Sequence, residues 1–240
     1  GNAMKSIRAN QPWRGELWLA NDFTLFKGLT GHASPHRHYA HQCLSVLLAG
    51  EPGPWQWTES MQAHAVEVTD AEVLAVYAEP SSFEIASLRA IAEADHSSLA
   101  ALARTVQSIR RQPLPERLQA VLRQMDDHLL EKLSAAELAR HVHTSVSHLQ
   151  RLFDSQLGVS IRRMVLWRRL RLALMLAMQG SSLTEAAHAA GFADSAHLSR
   201  TLRSMFGISG RQNLRHLHLR LLPAHHPDGT AGVAPGACLP

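Results

Sequence analysis

The sequence predicts an α+β chain, with a small strand-rich N-terminal half followed by an all-helical C-terminal half. Three observations predict it. From Trp13 to about Ser82, short apolar runs (Leu17 to Leu19, Phe23 to Phe26, Leu44 to Leu48, Val73 to Tyr77) alternate with turn residues such as Asn21-Asp22, Gly50-Glu51-Pro52-Gly53 and Glu79-Pro80. That is the texture of strands. From Ser87 to Arg111 the apolar residues fall at helical spacing: Leu88, Ile91 and Ala92, then Leu99, Leu102, Ala103, Val106 and Ile109. Past Pro113 and Pro115, the second of which suits the first turn of a helix, nearly everything to Leu222 reads helical.

Bulk properties narrow the function class. The chain of 240 residues, 45% apolar and 18% charged, is long enough for one large or two modest domains. No apolar run reaches the roughly 18 residues a bilayer span needs, and no signal peptide opens the chain. Gly1-Asn2-Ala3 ahead of Met4 reads as a cloning scar. The two cysteines, Cys43 and Cys238, are far apart, so no disulfide framework is expected and a cytoplasmic location is. The net charge of +4 hides an asymmetry: residues 1–114 carry 9 − 11 = −2, and residues 115–220 carry 15 − 8 = +7, nearly all as Arg. A basic half beside a slightly acidic one suggests that one end meets a polyanion, although a solvated helical surface also uses Arg.

The helical half contains a weak repeat. His148-Leu149-Gln150-Arg151 returns as His197-Leu198-Ser199-Arg200, a shift of 197 − 148 = 49 residues that also carries Gly158 onto Gly207 and Ser160 onto Ser209. Upstream, Ser134 to Glu137 and Ser182 to Glu185 are both capping boxes, in which Ser and Glu satisfy backbone donors at a helix start. In each copy an Ala (Ala139, Ala187) lies two residues after the Glu, and a turn residue (His143, Gly191) follows four positions later. Two short helices that cross closely need a small residue at the contact and a turn residue tolerant of positive φ. His143 departs from the expected Gly, but His is enriched there relative to most side chains. The following helices open at Ser145 and at Asp194 or Ser195, all good N-caps. An ordinary helical bundle also uses capping boxes. Two copies sharing cap, small residue, turn and basic second helix point instead to a pair of helix-turn-helix units.

Residues 134–215 resemble the DNA-binding domain of AraC/XylS-type regulators, most clearly from Ser182 to Arg200 and at Met205-Phe206-Gly207-Ile208-Ser209. Gly210 and Leu214 depart from the Pro-rich and aromatic pattern usual beyond that Ser. The resemblance implies a seven-helix domain with recognition helices at about Ser145 to Gln156 and Asp194 to Met205, held apart by a central helix, Ile161 to Met178. Two such helices can enter successive major grooves, about 34 Å apart. Side chains expected to meet DNA are Ser145, Val146, Ser147, Gln150 and Arg151 in the first copy, and Ser195, Ala196, Ser199 and Arg200 in the second. Gln150 can pair in bidentate fashion with adenine, and either Arg with guanine. The central-helix residues Arg162, Arg163, Arg168, Arg169 and Arg171 are expected first as solvated or ion-paired groups.

The resemblance also implies a cupin-like β-barrel ahead of this domain, as effector sensor or dimerisation platform. His36 and His38 share one face of a strand, the start of a cupin metal motif, but Gln42 stands where that motif needs Glu. No metal and no cofactor are therefore expected. His36, His38, His41, Trp55 and Trp57 form the candidate effector pocket, with aromatic packing of the barrel as the plainer account. The expected division is 4–83 for the cupin-like domain, 84–114 for a helical connecting or dimerising segment, 115–220 for the double helix-turn-helix domain and 221–240 for a flexible tail. The expected function is a sequence-specific, non-enzymatic transcription regulator partnered by double-stranded DNA. A small-molecule effector, RNA polymerase and a second copy are further candidate partners, and no membrane is. The rival is a cupin-type metalloenzyme with a helical appendage.

Overall fold

A computed structural model describes residues 14–30, 39–62, 71–94, 98–206, 217–222, 224–225 and 231–232. The chain divides into two units, residues 1–111 with 206–240, and residues 112–205. The α+β composition expected from sequence is present. No helix among the described residues is long and apolar enough to cross a membrane.

The first unit is built on strands β1 (Arg14–Leu19), β2 (Phe23–Leu29), β3 (His41–Leu48), β4 (Glu51–Thr58), β5 (Glu72–Ala78) and β6 (Leu217–Leu221). They form one sheet in the order β4-β3-β5-β2-β1-β6. β5 lies inside the sheet, and its unbroken apolar run is what a strand covered on both faces requires. Among the described residues no ladder joins β4 to β6, so the expected barrel is present as an open sheet. Pro52 and Pro54 occupy edge strand β4, where a missing N–H donor is tolerated.

A 3-10 helix (Ile85–Glu93) and helix α1 (Leu99–Ser108) follow. Their apolar residues Leu88, Ile91, Leu99, Leu102 and Val106 pack on the sheet face formed by Trp18, Phe23, Leu25, Cys43, Leu74 and Val76. The segment expected as connecting or dimerising thus packs one face on its own sheet. Arg111 closes the unit: its Nε donates to Asp22 Oδ2 at 2.9 Å, its Nη1 donates to the Val106 carbonyl at 3.1 Å, and its guanidinium lies 4.2 Å over the Phe83 ring.

β6 corrects the helical reading through Leu222. Leu217, Leu219 and Leu221 alternate with His218 and Arg220, a period of two that suits a strand. This segment pairs in parallel with β1, and the Leu222 N–H donates to the Leu19 carbonyl at 2.7 Å. A parallel pair needs a long crossover between its strands. Here that crossover contains the whole second unit. Two short strands, β7 (Ala224–His225) and β8 (Ala231–Gly232), pair in the segment expected to be a flexible tail.

The second unit comprises α2 (Glu116–Asp127), α3 (Ala135–His141), α4 (Val146–Leu157), α5 (Ile161–Met178), α6 (Leu183–Ala189) and α7 (Ser195–Phe206, its last residue at the boundary). The segment expected to hold a seventh helix lies outside the described residues. α5 is buried around much of its circumference: Ile161, Met164, Val165, Trp167, Leu170, Leu172 and Leu174 are all in the core. Such a helix has neighbours on several sides, as a central spacer should.

Candidate nucleic-acid interface

Local chemistry sets the boundaries of five successive helices. Ser134, Ser145, Ser160 and Ser182 each accept, through Oγ, the N–H three residues on at 3.1 Å, and Asp194 Oδ1 accepts the His197 N–H at 2.7 Å. Each cap of this kind stabilises its helix by about 1 kcal/mol. The Ser half of both capping boxes thus forms as expected. The Glu137 carboxylate turns to Arg140 on its own helix.

Both turns take the left-handed conformation expected of them, with φ of 53° at His143 and 86° at Gly191. The hydrogen bonds that close them also match, Thr144 N–H to the Ala139 carbonyl and Phe192 N–H to the Ala187 carbonyl, each at 2.9 Å. Ala139 and Ala187, the small residues expected at the helix crossings, are both buried. The repeat shift is 191 − 143 = 48 at the turn and 194 − 145 = 49 at the next cap, so the second unit has one extra residue between turn and recognition helix. α4 ends on Gly158, also left-handed at φ 66°.

In α4, Leu149, Phe153 and Leu157 are buried, while Ser147, Gln150 and Arg151 are exposed and Val146 is half-buried. In α7, Leu198, Leu202 and Met205 are buried and Arg200 is exposed. Ser195 and Ala196 are half-buried, and the Ser199 hydroxyl is turned back onto the Ser195 carbonyl at 2.9 Å. Ser145 spends its oxygen on the cap. The two presented surfaces therefore differ: α4 offers Ser147, Gln150 and Arg151, and α7 chiefly Arg200. A groove of about 940 Å³ runs beside α4, lined by Ser147, Gln150, Arg151 and Asp154 together with the starts of α3 and α5.

Of the α5 arginines expected to be solvated or ion-paired, Arg168 is ion-paired, and sequence reasoning missed the part played by Arg169. Arg168 forms an ion pair with Asp126 of α2. Arg169 donates from Nε to the Leu129 carbonyl at 2.9 Å and from Nη2 to the Glu131 carbonyl at 2.8 Å, and partial burial draws its pKa down. No local pattern reveals these contacts, which span 38 to 42 residues of sequence.

In the first unit, His41 is engaged at both ring nitrogens. Nδ1 accepts the Ser60 N–H at 2.9 Å, which leaves Nε2–H to donate to the Phe83 carbonyl at 3.1 Å. Burial lowers its pKa, so the ring is held neutral. Trp55 and Trp57 lie 6.2 Å apart and pack against the apolar core on the helix-covered side. His41 is thus held by hydrogen bonds, and the half-buried Trp55 and Trp57 by packing on the core. His36 and His38 lie outside the described residues. On the opposite face, Thr24, Tyr77 and Gln42 form a cross-strand row of buried polar side chains.

A helix-turn-helix domain family matches residues 138–216. The chain is 35% identical over 97 residues to the probable transcriptional regulator LumQ of Photobacterium leiognathi, covering 39% of each chain. It is 38% identical over 96 residues to the HTH-type transcriptional regulator GbdR of Pseudomonas aeruginosa, covering 40% of this chain and 26% of that one. The match thus spans well under half of these relatives. A solved transcriptional regulator of Chromobacterium violaceum, described by its AraC-type DNA-binding domain, is 32% identical with a TM-score of 0.38, covering 40% of this chain and 87% of that one. Residues 138–216, with their duplicated caps and turns, carry a helix-turn-helix domain, similar to those of transcriptional regulators.

Proposed function

We propose that this chain is a sequence-specific transcription regulator that binds double-stranded DNA, placing α4 and α7 in successive major grooves. The observation that carries the reading is the matched presentation of Arg151 and Arg200. Each is exposed on the second helix of its unit, opposite the buried Leu149 and Phe153 or Leu198 and Leu202. α5, 18 residues long, spans about 27 Å and separates the two units by a rigid element. Base reading in the first groove falls to Ser147, Gln150 and Arg151, and in the second to Arg200, with the less exposed Ser195, Ala196 and Ser199 contributing shape or apolar contact to thymine methyls.

The first unit modulates this binding, and the buried row of Thr24, Tyr77 and Gln42 is where we place recognition of a small effector. The Thr24 hydroxyl is buried without a hydrogen-bond partner among the described residues, which supports a polar ligand group there. The test is selection of bound sites from a random DNA pool by the full chain, followed by affinity measurements at several salt concentrations. A defined two-part site, with affinity falling steeply as salt rises, is expected because neutralised phosphates release counterions. No enriched sequence, or affinity flat with salt, would refute the proposal.

A further inference from the structure

Arg169 holds two carbonyls and lies beside a third place, in different parts of the second unit. Through Leu129 and Glu131 it holds two carbonyls of the turn leading from α2 to the capped start of α3, the first helix of the first helix-turn-helix. Its other side faces the turn of the second. A Cβ placed on Gly191 would lie 3.5 Å from Arg169 Nε and 3.6 Å from its Cζ, so the guanidinium lies beside that turn at about one carbon's distance. Among the described residues no carboxylate is paired with it. The guanidinium fork is planar and its donors fixed in direction, so satisfying both carbonyls sets its orientation beneath Gly191. Lys, a point charge on a flexible stem, would do this only in part.

We propose that Arg169 is a positioning residue that registers the two helix-turn-helix units against each other and thereby sets the spacing of the two half-sites the protein accepts. This rests on the two-groove reading above. Its consequence is specific. Without Arg169 each unit keeps its own core and its own base contacts, but the two no longer hold one fixed separation and angle.

The experiment uses the full chain and duplexes derived from the selected site. These are the intact site, each half scrambled in turn, and spacers altered by one or two base pairs. Wild type, Arg169→Met and Arg169→Lys are compared, with helicity checked for each. Arg169→Met is expected to weaken binding to the intact site by about fivefold or more, the lower range of measured coupling between sites. Binding to each single half-site should stay within about twofold, and the preference for the native spacer should flatten. Arg169→Lys should recover part of the loss. A spacer preference as sharp as wild type overturns the inference. So does an equal loss on all duplexes in a variant of native helicity, or a salt slope lower by about one, which would mark a phosphate contact. If Arg169→Met does not fold, the same criteria apply to Arg169→Lys. Wild type binding a half-site as tightly as the intact site would sink the two-groove reading instead.

Discussion

Gly191→Val tests the turn on which the second helix-turn-helix depends. At φ 86° a residue with a Cβ is strained by about 1–2 kcal/mol, and a β-branched one by more. The nearest side-chain atoms to a new Cβ would be those of Arg169 at 3.5–3.7 Å, ordinary contact distance, so the cost of the Cβ itself is in the backbone rather than in a clash. Restricting the unfolded chain returns roughly 0.4–1 kcal/mol. The net destabilisation expected is therefore about 1–3 kcal/mol for Val and less for Ala, with Asn mildest because it tolerates this conformation. For a unit of residues 112–205 this lowers the melting temperature by about 4–8 °C per kcal/mol. His143→Gly is the internal control. At φ 53° the relief of strain and the added freedom of the unfolded chain nearly cancel, within about 0.5 kcal/mol. Urea denaturation followed by helical circular dichroism and by fluorescence, in which Trp167 is the one tryptophan of residues 112–205, reads both variants. A Gly191→Val protein as stable as wild type, or Asn costing as much as Val, would refute this account of the turn.

Arg151→Ala and Arg200→Ala should each cost about 1–3 kcal/mol of binding and relax base preference at one or two positions, the two sets about 10 base pairs apart. Site selection with each variant checks this, and uniform weakening across sequences would make both residues phosphate anchors instead. Arg111→Ala should destabilise the first unit by roughly 1–2 kcal/mol in urea, a figure discounted because its side chain is 33% exposed. A change under about 0.3 kcal/mol would show the cluster with Asp22 and Phe83 to be idle. His41 contributes a pH dependence whose sign follows from its lowered pKa. Its unfolded form titrates near pH 6.5 while the folded ring stays neutral, so stability is full above about pH 6.5 and falls as pH drops from there towards the folded pKa. His41→Gln should lessen that acid sensitivity, and an unchanged pH profile of melting temperature would contradict the assignment.

How much of this was legible beforehand depended on the range of the interactions. The capped starts at Ser134, Ser145, Ser182 and Asp194 each involve a donor three residues away, and both turns involve one residue's φ, so residue type alone foretold them. The exposed faces of α4 and α7 followed from 3.6-residue spacing. The hydrogen bonds of His41 were not legible because its partners, Ser60 and Phe83, lie 19 and 42 residues away. Leu217 to Leu221 read as helix in a helical context, though its alternation of two was visible, because a strand forms only where another offers a free ladder.

The sequence by itself determined where the C-terminal helices begin, where they turn and which faces they bury, because caps, turns and helical periodicity are satisfied within a few residues. Only the tertiary structure decided that Leu217–Leu221 completes the N-terminal sheet beside β1, that Arg168 pairs with Asp126, and that Arg169 bridges the approach to one helix-turn-helix and the turn of the other. Those contacts close loops of about 40 to 200 residues. The entropy of closing a loop grows only slowly with its length, so local sequence carries little mark of which distant groups will meet.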